Sequence, residues 1–225
     1  MEKKSKSLYK LRKEYSLNQL SEGSVNTDPV KQFEVWFNDA VKSGMKEPNA
    51  MILTTASAEN KPSARVVLLK GYSNIGFTFY TNYGSRKGKN LAQNKNAALL
   101  FFWHQLERQI RIEGTCKKVS RKESEKYFHS RPRASQLGAL ASNQSEELNS
   151  REELEKRFAG LEAKYKGKKI PLPKNWGGFI LSPNYFEFWQ GRESRLHDRI
   201  AYLPAEGTKA GKKIRRGWKI VRLSP

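Results

Sequence analysis

Apolar and polar positions alternate with a period of two through the middle and end of the chain, and a period near 3.6 interrupts at a few places. From Ala50 the runs MILTTAS, ARVVLLKGY and GFTFYTN are separated by the turn-prone segments AENKP and YSNIG, which predicts a meander of antiparallel strands. AALLFFWH and RQIRIEGTCKKV predict two more strands, and EFWQGRESRLHDRIAYL and GWKIVRL a last pair joined by the basic loop EGTKAGKKIRRG. Helical spacing occurs at Val30, Phe33, Trp36, Phe37, Ala40 and Val41, opened by Thr27 or Asp28 as N-cap with Pro29 at the first helical position and closed at Gly44. A short helix capped by Ser85 follows, another from Glu123 to His129 must end near Pro132, and a charged helix runs from about Ser145 to Tyr165. The strand-helix alternation of a parallel α/β sheet is absent. The predicted fold is therefore mainly β with peripheral helices, a β-barrel with helical additions.

The first 25 residues are polar and basic with scattered Leu and Tyr, and read as an N-terminal arm that is flexible unless something ties it down. A single domain is expected over residues 26–225, because 225 residues with five Trp, nine Tyr and eleven Phe suffice for one sizeable core. No apolar run approaches the length of a membrane span and no signal segment opens the chain, so a soluble cytoplasmic protein without membrane association is expected. Cys116 is the only cysteine, which excludes an internal disulfide and reads as a small buried hydrophobe. With only His104, His129 and His197 beside it, no metal site of the Cys/His kind can be assembled.

Charge changes this picture. Forty-three Lys and Arg against 22 Asp and Glu give a net charge of +21, with cations concentrated before Glu14 and again from Lys209 to Arg222. Steering of anionic small molecules is favoured over specific nucleic-acid binding, although two bound phosphates would leave most of the surplus unneutralised.

Several patterns fit anion chemistry, each with an ordinary alternative. If the run through RESRLHDR is a strand, Arg195, His197 and Arg199 share one face; a solvated face is the plain reading. In FYTNYGSRKG a strand delivers the chain to a helix start where free N–H groups, the Ser85 hydroxyl, Arg86 and Lys87 converge, and the alternative is a simple capped helix. Arg65 and Lys70 flank four apolar residues on opposite faces of RVVLLK, as strand-end charges often do. Gln109, Arg111 and Glu113 alternate with Ile110 and Ile112, so Gln109 could read a heterocycle edge or belong to an exposed stripe. Tyr127 and Arg131 are one helical turn apart with Ser135 just past Pro132, which makes either a phosphate site or a surface pair. Trp189 beside Gln190 offers a flat wall, or a core residue. No G-x-G-x-x-G follows a strand and no P-loop is present.

Taken together, RVVLLK, FYTNYGSRK, ERQIRIEG, YFHSRPRASQLGA, SNQS, WGGF, EFWQG, RLHDR and WKIVRLSP resemble the pyridoxamine 5'-phosphate oxidase family over about Arg12 to Pro225. The resemblance implies an FMN-binding split β-barrel working as a homodimer through its C-terminal strands, with FMN at the subunit interface. It implies FMN contacts from Arg65, Val66, Val67, Leu68, Leu69, Lys70, Tyr80, Thr81, Arg86, Lys87, Gln109, Gln144, Ser145, Trp189 and Arg199. The substrate phosphate would rest on Lys70, Tyr127, Arg131 and Ser135, the arm residues Arg12, Lys13, Glu14 and Tyr15 would close over the ligand, and Arg195, Leu196 and His197 would face the pyridine ring, Arg195 and His197 in the catalytic roles. The implied reaction is oxidation of pyridoxamine 5'-phosphate or pyridoxine 5'-phosphate by O2 to pyridoxal 5'-phosphate, a hydride passing from substrate C4' to flavin N5, with release of H2O2. A split-barrel FMN reductase with another acceptor, a basic nucleic-acid-binding protein on the same barrel, and a carrier of pyridoxal phosphate are the rival readings. The basic loop at Thr208–Arg216 has no role in this scheme.

Overall fold

The computed structural model describes residues 14–209 and 212–225, with the backbone alone at 206–209 and 212–216. These residues fall into two compact units, one from residues 14–46, 102–110 and 187–225, the other from residues 47–101 and 111–186. The architecture is mainly β with five α-helices among the described residues.

In the second unit β1 (Ala50–Ala56) and β2 (Pro62–Leu68) form one antiparallel hairpin and β3 (Gly71–Ser73) and β4 (Gly76–Asn82) another. β5 (Asn96–Trp103), β6 (Arg108–Lys118) and β7 (Trp176–Gln190), each with residues in both units, complete the order β2-β1-β5-β6-β7-β4-β3. β1 pairs antiparallel with β2, Leu53 opposite Arg65, so the turn AENKP delivers Arg65 back beside the strand that precedes it. On β1 every second residue is buried, Met51, Leu53 and Thr55, as alternation requires. β4 is buried almost throughout, and Phe77 and Phe79 pack against Phe186 and Phe179.

In the first unit α1 (Pro29–Lys42) starts where expected: the Asp28 carboxylate accepts from the Val30 N–H at 2.8 Å. Its apolar stripe, Phe33, Trp36 and Ala40, is buried, and Trp36 meets Phe188 edge to face at 5.2 Å. β8 (Asp198–Lys209) pairs with β7 and with β9 (Lys212–Leu223). Arm residues 14–25 are tied down: Leu20 is buried, its N–H donates to Asp198, and Glu22 pairs with Arg222.

Four expectations are corrected. RESRLHDR is not a strand: β7 ends at Gln190, Glu193–Arg195 forms a single 3-10 turn with Ser194 at φ 53° and Arg195 at φ 62°, and β8 begins at Asp198. Arg195, His197 and Arg199 therefore share no strand face; the polar run GRES has no apolar residue to anchor a ladder. The strands from Ala50 do not form one meander: β1 pairs with β2 and β3 with β4, and β2 and β3 stand at opposite ends of the strand order. The helix expected to end near Pro132 does so, as α3 (Arg121–Ser130), and Pro132 is then the N-cap of α4 (Arg133–Ala141). The charged helix starts later than Ser145, as α5 (Arg151–Lys164), where the Ser150 hydroxyl accepts from the Glu153 N–H. The expected basic loop is instead hairpin backbone, Thr208 opposite Lys213 and Lys209 opposite Lys212. Its tip, 210–211, and the side chains of 206–216 lie outside the description.

Candidate functional site

The second unit contains a cavity of about 1000 Å³. Its lining brings together Arg65, Val66, Val67, Leu68 and Lys70, then Tyr80 and Thr81 at the end of β4, Arg86 and Lys87 at the start of α2 (Arg86–Gln93), Tyr127, Arg131 and Ser135 from the α3–α4 corner, and Gln144 and Ser145 after α4. Five of these are cations and the lining holds no carboxylate. Clustered cations without acids are costly to bury, so this composition is built for an anionic occupant.

Lys87 is the sharpest case. The Ser85 cap starts the helix by accepting from Gly88 N–H at 3.3 Å, which turns Lys87 inward to 9% exposure. Its ammonium donates to Gln144 Oε1 at 2.8 Å, Thr81 Oγ1 at 3.1 Å and Ser85 Oγ at 3.3 Å, all neutral oxygens. Burial, and secondarily the charge of Arg65, brings its pKa down to about 8. Arg65 is spread over Leu53 O, Thr55 Oγ1 and Ser63 Oγ, and burial followed by the charge of Arg86 lowers its pKa too.

Across the same cavity aromatic rings stack beneath a guanidinium. Tyr80 and Tyr127 lie face to face at 3.9 Å, Trp176 is nearly parallel to Tyr80 at 5.6 Å, and Arg131 sits 4.8 Å above the Trp176 ring. Arg131 Nη1 is buried without a hydrogen-bond partner, and burial lowers the Arg131 pKa. Burial likewise pushes the Tyr80 phenol up to about 12, so it stays a neutral donor. Trp176 was missed by sequence reasoning, although an aromatic ahead of the Gly177-Gly178 pair was a usable signal: a side chain at Gly178 would collide with Tyr80. Ser63, Asn82 and Ser142 also line the cavity and carried no signal.

Not all predicted residues join this cavity. Leu69 is buried and does not line it, and Gln109, Trp189 and Arg199 belong to the first unit. Arg199 donates to Glu187 at 2.8 Å and to the Ser224 carbonyl at 2.7 Å. Arg12 and Lys13 lie outside the described residues.

The first unit gathers Glu14, Tyr15, Trp189 and His197. The imidazole is 4.6 Å from Trp189 and 5.9 Å from Tyr15, whose edge meets Trp189 at 5.7 Å. Arg192 N–H donates to His197 Nδ1 at 3.1 Å, which leaves the neutral ring's proton on Nε2. Burial and then Arg195 lower the His197 pKa, against a smaller opposite pull from Glu14. Glu14 accepts from the Ser194 N–H, pinning the turn that carries Arg195, while Leu196 is exposed. Cys116 is buried on β6 and its thiol is pushed up to about 12. Among the described residues no group of side chains could hold a metal ion, and no helix is long and apolar enough to cross a membrane.

Comparison with known proteins finds relatives along nearly the whole chain. Residues 37–165 match the family model described as pyridoxamine 5'-phosphate oxidase, and residues 176–225 the pyridoxine 5'-phosphate oxidase C-terminal dimerisation region. The chain is 52% identical over 215 residues to a pyridoxine/pyridoxamine 5'-phosphate oxidase of Rubrobacter xylanophilus, covering 96% of this chain and 95% of that one. It is 54% identical to the one of Cupriavidus taiwanensis, covering 96% and 97%. Among solved structures, PhzG from Burkholderia lata in complex with tetrahydrophenazine-1-carboxylic acid superposes with a TM-score of 0.83 at 29% identity, covering 93% of this chain and 100% of that one.

Proposed function

Because this chain belongs to the pyridoxamine 5'-phosphate oxidase family, a family of split-barrel oxidoreductases, we propose that it oxidises pyridoxamine 5'-phosphate and pyridoxine 5'-phosphate to pyridoxal 5'-phosphate with FMN as cofactor and O2 as final acceptor. The observation that carries this reading is the acid-free cavity with a buried Lys87 and an unpartnered Arg131 Nη1, since two phosphorylated rings supply the anions those groups lack. The 29% likeness to PhzG is weaker than the identities above 50% to relatives named for vitamin B6 phosphates, which favours the phosphorylated substrates.

In this scheme Arg65, Val66, Val67, Leu68, Thr81, Arg86, Lys87, Gln144 and Ser145 would hold FMN. The family resemblance adds Gln109, Trp189 and Arg199 to that set, in a homodimer formed through the C-terminal region. What FMN supplies when bound is acceptance of a hydride from substrate C4' and passage of two electrons to O2, giving H2O2. Lys70, Tyr127, Arg131 and Ser135 grip the substrate phosphate and stop the ring from sliding, so that orientation is the protein's main contribution. Arg195 positions the substrate electrostatically. His197, neutral and with its proton on Nε2, donates to an oxygen of the substrate ring. Glu14 and Tyr15 cover the ligand. The amine leaves as ammonia after water adds to the oxidised carbon; the alcohol gives the aldehyde directly. A reducing cytoplasm is the setting the single buried thiol suits.

The test is the visible spectrum of the purified protein, with pyridoxamine 5'-phosphate added anaerobically. A yellow protein that bleaches with substrate and recovers in air is expected. A colourless protein that takes up no FMN, or a yellow one indifferent to both B6 phosphates, would overturn the reading.

A further inference from the structure

Glu107 occupies an odd position. It follows the short 3-10 turn His104–Leu106, has φ 54° without being glycine, and is only 2% exposed. Its carboxylate Oε2 accepts the N–H of Ser16 at 2.9 Å and of Leu17 at 3.1 Å. Its carbonyl accepts from Gly191 N–H at 2.8 Å and from Gln190 Nε2 at 3.2 Å. One residue thus binds the arm just after Tyr15 and the chain just before the turn that carries Arg195 and His197. The Tyr15 ring fills the space over Gly191: a Cβ there would lie 2.7 Å from Tyr15 Cγ and 3.1 Å from Glu107 Cβ. Further along, the arm is held separately, Leu20 N–H by Asp198 and Glu22 by Arg222, so Glu107 acts on residues 15–17.

We propose that Glu107 is a positioning residue for the oxidation: it latches the arm so that Tyr15 packs on His197 and Trp189 and fixes the imidazole that meets the substrate. This rests on the proposed function. Two charge-assisted bonds from a buried carboxylate suit such a latch, because they set the backbone at 16 and 17 directly and leave the Tyr15 ring to pack.

Glu107→Ala is expected to speed hydrogen exchange at the Ser16 and Leu17 amides while leaving Leu20 protected. In the FMN-loaded enzyme it should lower kcat/KM for pyridoxamine 5'-phosphate about 10- to 100-fold without changing FMN loading. Glu107→Gln, which keeps an acceptor oxygen, should restore most of the activity. In a double-mutant cycle Tyr15→Ala should cost a similar factor and the double variant no more than either single one, since both remove the same packing. Additive losses, or unchanged exchange at Ser16 and Leu17, would overturn the proposal. Should Glu107→Ala not fold, Glu107→Asp, one methylene shorter with its charge kept, is read in the same cycle, and wild-type values there would overturn it equally. A wild-type protein that turns over neither B6 phosphate would sink the reaction and this role in it together; faster exchange in the variant would then report the latch alone.

Discussion

Lys87 on α2 and Gln144 beyond α4 meet at 2.8 Å, ammonium to amide oxygen, with only neutral oxygens completing the ammonium's contacts. The folded pKa of about 8 lies below the ordinary 10.5, so below pH 8 the folded protein carries the full cost of the buried charge. Between these values the unfolded chain binds more protons, and stability rises with pH until the cost is gone. A bound phosphate reverses the preference by favouring the ammonium. FMN affinity should therefore hold through neutral pH and fall as pH rises past about 8, read by fluorescence titration. Lys87→Met should weaken FMN binding while raising the melting temperature of the apoprotein by roughly 2–4 °C, about 1 kcal/mol. A pH-independent affinity would count against this role.

Arg131 differs from Lys87 in needing a plane as well as a charge. Its guanidinium lies over Trp176 and keeps one nitrogen free of protein partners. Arg131→Lys keeps the charge but loses the stacking and the fork, so it should behave almost like Arg131→Ala. Both should raise KM for pyridoxamine 5'-phosphate by tenfold or more, about the 1.5–3 kcal/mol of a charged hydrogen bond. Turnover of unphosphorylated pyridoxamine, which brings no phosphate to Arg131, should hardly change. Equal losses on both substrates would place Arg131 elsewhere in the chemistry.

Gly178 tests the aromatic stack. A Cβ at this position would sit 2.7 Å from Val119 Cγ2 and 2.8 Å from Tyr80 Cε1, pushing Tyr80 off Tyr127. Gly178→Ala should weaken both FMN and substrate binding. Gly160→Ala, in the interior of α5 with nothing within 4 Å, should instead stabilise the protein by about 0.4–1 kcal/mol and leave binding alone. Thermal melts of the two variants, with and without FMN, separate the cases.

Much of this was legible in the sequence where local rules decide. The Asp28 and Ser85 caps, the individual strands from Ala50 and the burial of Cys116 follow from side chains acting on their own neighbourhood, whereas the order of those strands in the sheet does not. Most of the polar residues that line the cavity were named because a family resemblance tied together segments that no period connects. What failed was decided by tertiary contacts. RESRLHDR bends because Glu14 and Glu107 hold both sides of the turn, and neither lies near it in the chain. Trp176 gained its place only through rings contributed by β4 and α3.

His197 and Arg195 give the most direct check on the reaction, since neither lines the cavity that would hold FMN. His197→Asn keeps an oxygen near the position of Nδ1, where it can still accept from Arg192, but lacks the Nε2 donor. Flavin loading should stay near wild type while kcat falls about 10²-fold, the range for losing a positioned proton donor. Arg195→Lys should fall less, because the charge remains. The acid limb of the wild-type profile should lie below the ordinary histidine value of 6.5: burial and Arg195 resist the proton, and once it binds, Nδ1 can no longer accept from Arg192. Stability should drop over the same window, as pH falls from 6.5 through the lowered folded value, because the unfolded chain takes the proton first. Stopped-flow reduction of the flavin across that range measures the limb, and denaturant unfolding at the same pH values measures the stability. A limb at or above 6.5, or an Asn variant as fast as wild type, would remove His197 from the chemistry.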